Sequence, residues 1–132
     1  MLEVINVLVA TAMAFALGAV WYGMLAKPWV ALSGVAVDED GKPANASHKS
    51  LFAVAFVLQL VVAGMMRHVF AFSGIETIGA ALMSGIGIGL FFITPWIALN
   101  NNYAGRSPVL SLIDGGYATL ACATMAAVLV LF

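Results

Sequence analysis

The sequence predicts an all-α integral membrane protein, four transmembrane helices in an antiparallel bundle, with residues 1–132 forming one domain. Three observations carry that expectation. Hydrophobic residues make up 64% of the chain and charged residues only 8%, with a mean hydropathy of +1.08. Soluble domains carry roughly a quarter charged residues, so this chain has too few to cover a water-facing surface, and a lipid bilayer is its natural solvent. The apolar residues also fall in four runs, 2–25, 50–72, 75–99 and 108–132, each long enough for the about 20 residues that a span requires. The remaining long stretch, 26–49, contains VDEDGKPANASHK. It has no hydrophobic periodicity and too few residues for a second domain, which reads as a solvated loop.

Local signals place the ends of each run. A signal peptide is a poor reading of the first, because Glu3 stands where a basic region belongs and the apolar run is too long. Lys27-Pro28 is expected to close the first helix, since proline lacks an N–H and disfavours helical geometry in its predecessor. Ser73-Gly74-Ile75-Glu76 reads as a tight turn with a capping box, Ser73 as the cap and Glu76 reaching back. Arg67 and Glu76 are expected to pair across that turn. Pro95 lies inside the third run and should kink it, freeing a carbonyl near Phe91. Ser107-Pro108 starts the fourth helix with proline at its first position.

Basic residues orient the spans. Lys27, Lys42, Lys49 and Arg106 fall on the side of the 26–49 and 100–107 loops, and only Arg67 lies toward the other side. The positive-inside rule therefore puts both loops in the cytoplasm and both termini outside. Trp21, Tyr22, Lys27, Trp29, Trp96 and Arg106 collect near the same boundary as candidate interfacial anchors.

Lipid supplies no hydrophobic drive between spans, so close backbone packing and polar contacts decide association. Small residues recur at spacing four: Asn6, Ala10, Ala14, Gly18 and Tyr22 in the first run, and Ala55, Gln59, Ala63 and Arg67 in the second. Thr77, Ala81, Gly85 and Gly89 follow in the third, and Gly115, Thr119, Ala123 and Ala127 in the fourth. Ala14, Gly18, Gly85, Gly89 and Gly115 are the expected packing positions. Gly85-Ile86-Gly87-Ile88-Gly89 is no nucleotide loop, having neither a strand before it nor a lysine after it.

Asp114 sits six residues into the fourth run, hence about 9–10 Å below the boundary by helical rise. A charged aspartate at the helix centre costs about 2.5–3.5 kcal/mol on insertion scales, and less toward the boundary. It should therefore point inward, joining Tyr22, Gln59, Thr94 and Ser111 in one polar intramembrane layer, either as a hydrogen-bonding carboxylate or carrying a proton.

The strings WYGMLAKPW (21–29) and NYAGRSPVLSLIDGGY (102–117) resemble those of a bacterial family of small membrane proteins, domain of unknown function 1761. The resemblance covers nearly the whole chain in the same four-span order. It maps the family's recurrent positions onto Asn6, Gly18, Trp21, Tyr22, Lys27, Trp29, Tyr103, Gly105, Arg106, Asp114, Gly116 and Tyr117. It implies a multi-pass protein of the bacterial inner membrane and no established activity.

Chemical candidates are few. His48 and His68 lie about a helix length apart and lack partners at ligand spacing, Cys122 falls in an apolar stretch, and Asp38-Glu39-Asp40 lacks calcium-loop spacing. No metal or cofactor is expected. No nucleophile–base pair appears, so the chain reads as a non-enzyme. The net charge of −1 argues against a nucleic-acid partner. The leading expectation is a structural, accessory or assembly module, working as a homo-oligomer or as a subunit of a larger membrane complex. The alternative is a minimal oligomeric transporter or channel in which Asp114 binds a proton or cation; a lipid-binding protein or membrane enzyme is the third class.

Cysteines introduced at Ser47 and Ser73 test the orientation by labelling from outside whole cells. Ser73→Cys should label and Ser47→Cys should not; the reverse pattern inverts the topology.

Overall fold

The computed structural model describes residues 1–132. An unbroken apolar run carries the first helix, α1 (Leu2–Met24), up to Leu25, whose backbone (φ −104°, ψ 18°) leaves helical geometry. The chain does not become a loop at Lys27-Pro28. It turns at Leu25 and enters a short helix, α2 (Ala26–Ser33), with Pro28 in its first turn. The first N–H groups of a helix have no intrahelical acceptor, so proline costs little there and starts a helix instead of ending one. Residues 34–48 then form a compact excursion in which the Asp38 carboxylate accepts from the backbone N–H of Asp40 (3.0 Å) and of Lys42 (2.9 Å).

The next helix, α3 (Lys49–Ser73), ends at Gly74 in the left-handed conformation (φ 65°). Ser73 is thus the last residue of α3 and not a cap. Thr77 caps the following helix, its side chain accepting from Ala80 N–H, because the β-region backbone of Thr77 is the one that aims its oxygen at the new helix. Glu76 pairs with nothing: Arg67 reaches Glu3 instead, at 3.5 Å, and donates to the Leu129 carbonyl.

Three segments then form one rod: α4 (Ile78–Gly87), a π-helical turn (Ile88–Ile93) and α5 (Thr94–Tyr103). The expected irregularity at Pro95 takes the form of this π turn. Thr94 N–H bonds back five residues to the Gly89 carbonyl, and the Thr94 hydroxyl donates to the same oxygen at 2.7 Å. The widened turn absorbs the place where proline offers no donor and its ring crowds the preceding turn. Gly105 (φ 68°) closes the rod, with Arg106 N–H on the Asn101 carbonyl and Gly105 N–H on that of Asn102. That pairing needs a left-handed residue, which glycine supplies without strain. Ser107 accepts from Val109 N–H and opens α6 (Pro108–Leu129) with Pro108 at its start.

Four helices, α1, α3, the Ile78–Tyr103 rod and α6, have the length and apolarity to cross a membrane. Of their most apolar windows, 44% of α6 is buried, against 28% of α1 and 11% of each of the other two. The last helix is therefore the inner one. On one side lies α1, with Asn6 at Val128, Ala14 at Tyr117 and Trp21 at Ile113. On the other lies the rod, with Thr94 at Gly115 and Asn101 at Ser111. The third neighbour, α3, leans on α1 and more lightly on α6, and hardly meets the rod.

Small residues set these distances. Ala10, Ala14, Ala63, Ala81, Ala121 and Ala126 are all buried, with Met66, Phe70, Met125 and Leu129 the large members of the core. Ala14, Gly18, Gly85, Gly89 and Gly115 are buried as well. A Cβ at Gly85 would meet the Cys122 carbonyl and the Ala126 methyl, and one at Gly89 would run into Thr119. Backbone approaching backbone this closely is how helices gain dispersion contact where lipid and side chain are equally apolar.

Gly85→Leu and Gly89→Leu should each destabilise the protein in mild detergent by about 1–3 kcal/mol, the usual penalty of overpacking. Gly64→Leu, at a position where a Cβ has open space, should leave thermal unfolding nearly unchanged. Equal melting for all three would contradict the close approach.

Candidate functional site

The only ionisable carboxylate well inside α6, Asp114, is met by the elbow between α1 and α2. Tyr22, in the last turn of α1, donates its hydroxyl to Asp114 Oδ1 at 2.7 Å. Trp29, in α2, donates its indole N–H to the same oxygen at 3.1 Å. The two rings stand edge to face at 6.0 Å, and Tyr22 meets Tyr117 in the same manner at 5.3 Å. Helix α2 makes this possible, since the turn at Leu25 brings Trp29 back toward α6 instead of leaving it in a loop.

Further ties run along the same seam. Trp21 donates to the Ile113 carbonyl (3.0 Å) and rests on Gly116, where a Cβ would press on its ring. Tyr117 donates to the Ala14 carbonyl (2.8 Å) and lies over Gly18, where a Cβ would sit 2.7 Å from its hydroxyl oxygen. Near the far end, Asn6 Nδ2 donates to the carbonyls of Val128 (3.1 Å), which also accepts from Leu131 N–H, and Phe132 (3.0 Å). Hydrogen bonds between membrane helices average about 0.6 kcal/mol, with a maximum near ~1.7, so the seam is held by their number.

Other residues expected in the layer are distributed differently. Gln59 reaches the Asp114 region from α3 and lines the same cleft, its Oε1 buried without a partner. Thr94 does not join Asp114; it bonds the Gly89 and Gly115 carbonyls and ties the π turn to α6. Ser111 accepts from Asn101 Nδ2 at 3.0 Å, a buried pair on the rod side. Of the expected anchors, Trp21 and Trp29 are half-buried with their N–H groups turned to α6, whereas Lys27, Trp96 and Arg106 are exposed. Arg106 reaches Asn101 Oδ1 at 3.5 Å. Asn101 and the inward role of Trp29 escape a linear reading. The first is one of three consecutive asparagines, and the second depends on a helix that Pro28 seemed to forbid. No three of the His, Cys, Asp and Glu side chains converge on a point.

Between α3 and the rod lies a cleft of about 340 Å³, the space left because those two elements hardly meet. Gln59 and Val62 form one wall, Ile93 and Ile97 the other, and Asp114, Tyr117, Ala118 and Met125 lie along the α6 floor. Asp114 Oδ2 accepts no hydrogen bond from the protein, and the chain's one ion pair, Glu3–Arg67, lies near the other end of the helices. Chemically, the arrangement is a carboxylate with two neutral donors on one oxygen, three aromatic rings around it, and an apolar slot beside it.

No curated protein and no solved structure matches the chain. A family described as protein of unknown function (DUF1761) matches it over residues 5–130. Of the positions through which the sequence resembles that family, Asn6, Gly18, Trp21, Tyr22, Trp29, Asp114, Gly116 and Tyr117 all lie on the seam between the α1–α2 elbow and α6. With nearly its full length matched, the chain belongs to the DUF1761 family.

Proposed function

We propose that the chain is a structural or accessory module of a membrane, an antiparallel four-helix unit without enzymatic activity that assembles into a homo-oligomer or a larger membrane complex. Its setting in this reading is the bacterial inner membrane, with the 26–49 and 100–107 segments cytoplasmic and both termini outside. The observation that carries it is the bond set at Asp114. One carboxylate oxygen receives Tyr22 and Trp29, so the residue that composition makes most conspicuous is used to lock α1 and α2 onto α6. An intramembrane acid consumed in packing contacts serves shape before transport. Assembly is supported by the outer faces. Gly23, Gly79 and Gly87 have open space where a Cβ would stand, among exposed apolar side chains such as Val20, Met83 and Leu90. Such surfaces admit another helix at close range.

A second reading, a minimal oligomeric transporter or channel with Asp114 as its proton or cation site, is favoured by one feature. The Oδ2 oxygen is left without a protein donor, and Asp114 lines the cleft.

Asp114→Asn separates the two. The amide oxygen still accepts from Tyr22 and Trp29 but cannot ionise, so a structural role predicts stability in detergent within about 1 kcal/mol of the native protein, the worth of one ordinary hydrogen bond. Assembly, measured by light scattering, should also be unchanged. Asp114→Leu strands both donors and should cost about 1–3 kcal/mol for each. A native protein that carries proton or cation flux in proteoliposomes, lost in a well-folded Asp114→Asn, would favour transport instead.

A further inference from the structure

Beyond its packing role, Asp114 raises an electrostatic question that the fold leaves open. Its charge faces no cation, because the one ion pair in the chain is Glu3–Arg67. Both of its protein donors are neutral and both use Oδ1. A carboxylate in an apolar medium is costly unless an opposite charge accompanies it, and Asp114 lines the cleft.

We infer that the cleft between α3 and the α4–α5 rod binds a single-chain amphiphile with a protonated amine head, the ammonium on Asp114 and the alkyl chain extended toward Met125. The inference rests on the membrane-embedded reading and adds a ligand class to it. Three features of the cleft select this chemistry. The ammonium supplies the missing charge and donates to Oδ2. The rings of Tyr22 and Tyr117 line the cleft, and that of Trp29 is bonded to the same carboxylate. Aromatic faces attract ammonium groups through their quadrupole. Beyond Asp114 and Gln59 the slot turns apolar, lined by Val62, Ile93, Ile97, Ala118, Ala121 and Met125. From Asp114 to Met125 the floor runs eleven residues, about 16 Å by helical rise, the extent of one alkyl chain.

A two-chain aminophospholipid fits less well. Asp114 lies about 9–10 Å inside the boundary by helical rise, so a phospholipid ammonium reaching it would drag its phosphate into the apolar region beside a like-charged carboxylate. A lone metal ion or small ammonium would leave the slot unfilled.

Calorimetric titration of the full chain in dodecyl maltoside, with dodecylammonium, dodecanol and methylammonium as probes, tests this. Dodecylammonium should bind saturably, one per chain, at least tenfold more tightly than dodecanol, with no binding of methylammonium at the same concentrations. Ala118→Phe fills the slot from the α6 floor without touching the Tyr22 and Trp29 bonds, and should abolish saturable binding while helical circular dichroism persists. Asp114→Asn should reduce the preference for amine over alcohol to less than twofold. Equal binding of amine and alcohol to the native protein, or native-like binding by a folded Ala118→Phe, overturns the inference. So does binding of methylammonium as tight as that of dodecylammonium, which marks a simple cation site. In phosphatidylcholine nanodiscs, displacement of dodecylammonium by phosphatidylethanolamine would identify a membrane aminolipid as occupant and overturn the single-chain assignment. Alkali-resistant flotation of the native chain with phosphatidylcholine vesicles separates a failure of binding from a failure of the membrane reading.

Discussion

Five polar groups along α6 are answered from neighbouring helices, because a buried polar group is costly without a partner. This constraint organises the molecule. The Ile113 carbonyl is met by Trp21, Asp114 by Tyr22 and Trp29, and the terminal carbonyls by Asn6. On the opposite side the Gly115 carbonyl is met by Thr94 and the Ser111 hydroxyl by Asn101. The partners are spread over both ends of α1, over α2 and over two turns of the rod, so the set defines register as well as proximity. A slide of either neighbour by one turn would leave several of these groups unmatched at once.

Glycine and alanine make those bonds reachable. A Cβ at Gly18 or Gly116 would collide with the ring that crosses it, and one at Gly85 or Gly89 would hold the rod away from α6. The same economy of side-chain volume explains the cleft. The α6 floor between Asp114 and Met125 includes Ala118 and Ala121, and α3 rests on α1, so nothing large fills the space toward Ile93 and Ile97. Tight packing on two sides and an open slot on the third follow from one distribution of small residues.

Much of this was legible in the sequence. Run lengths located the four long helices, and the spacing of small residues picked out Ala14, Gly18, Gly85, Gly89 and Gly115, which are all buried. The cost of a membrane carboxylate pointed Asp114 inward, toward Tyr22. The misses have physical causes. Pro28 reads as a terminator from sequence alone, since a helix restart across the single residue Leu25 depends on the elbow that α6 stabilises. Thr94 is polar and at a suitable depth, yet the π turn before Pro95 rotates its hydroxyl onto two carbonyls. Glu3 took Arg67 from Glu76 because α1 and α3 lie side by side, a long-range fact that local spacing does not contain.

The coupling between Tyr22 and Asp114 is the most direct measure of whether the seam holds the fold. A double-mutant cycle of Tyr22→Phe and Asp114→Leu, each of which removes the bond, read by reversible unfolding in mild detergent, isolates it from the effect of each change alone. The seam predicts a favourable coupling of about 0.6–1.7 kcal/mol, the range for hydrogen bonds between membrane helices, with the double variant less destabilised than the sum of the singles. Strict additivity of the two changes, with both single variants as stable as the native chain, would mean that α1 is held to α6 by packing alone.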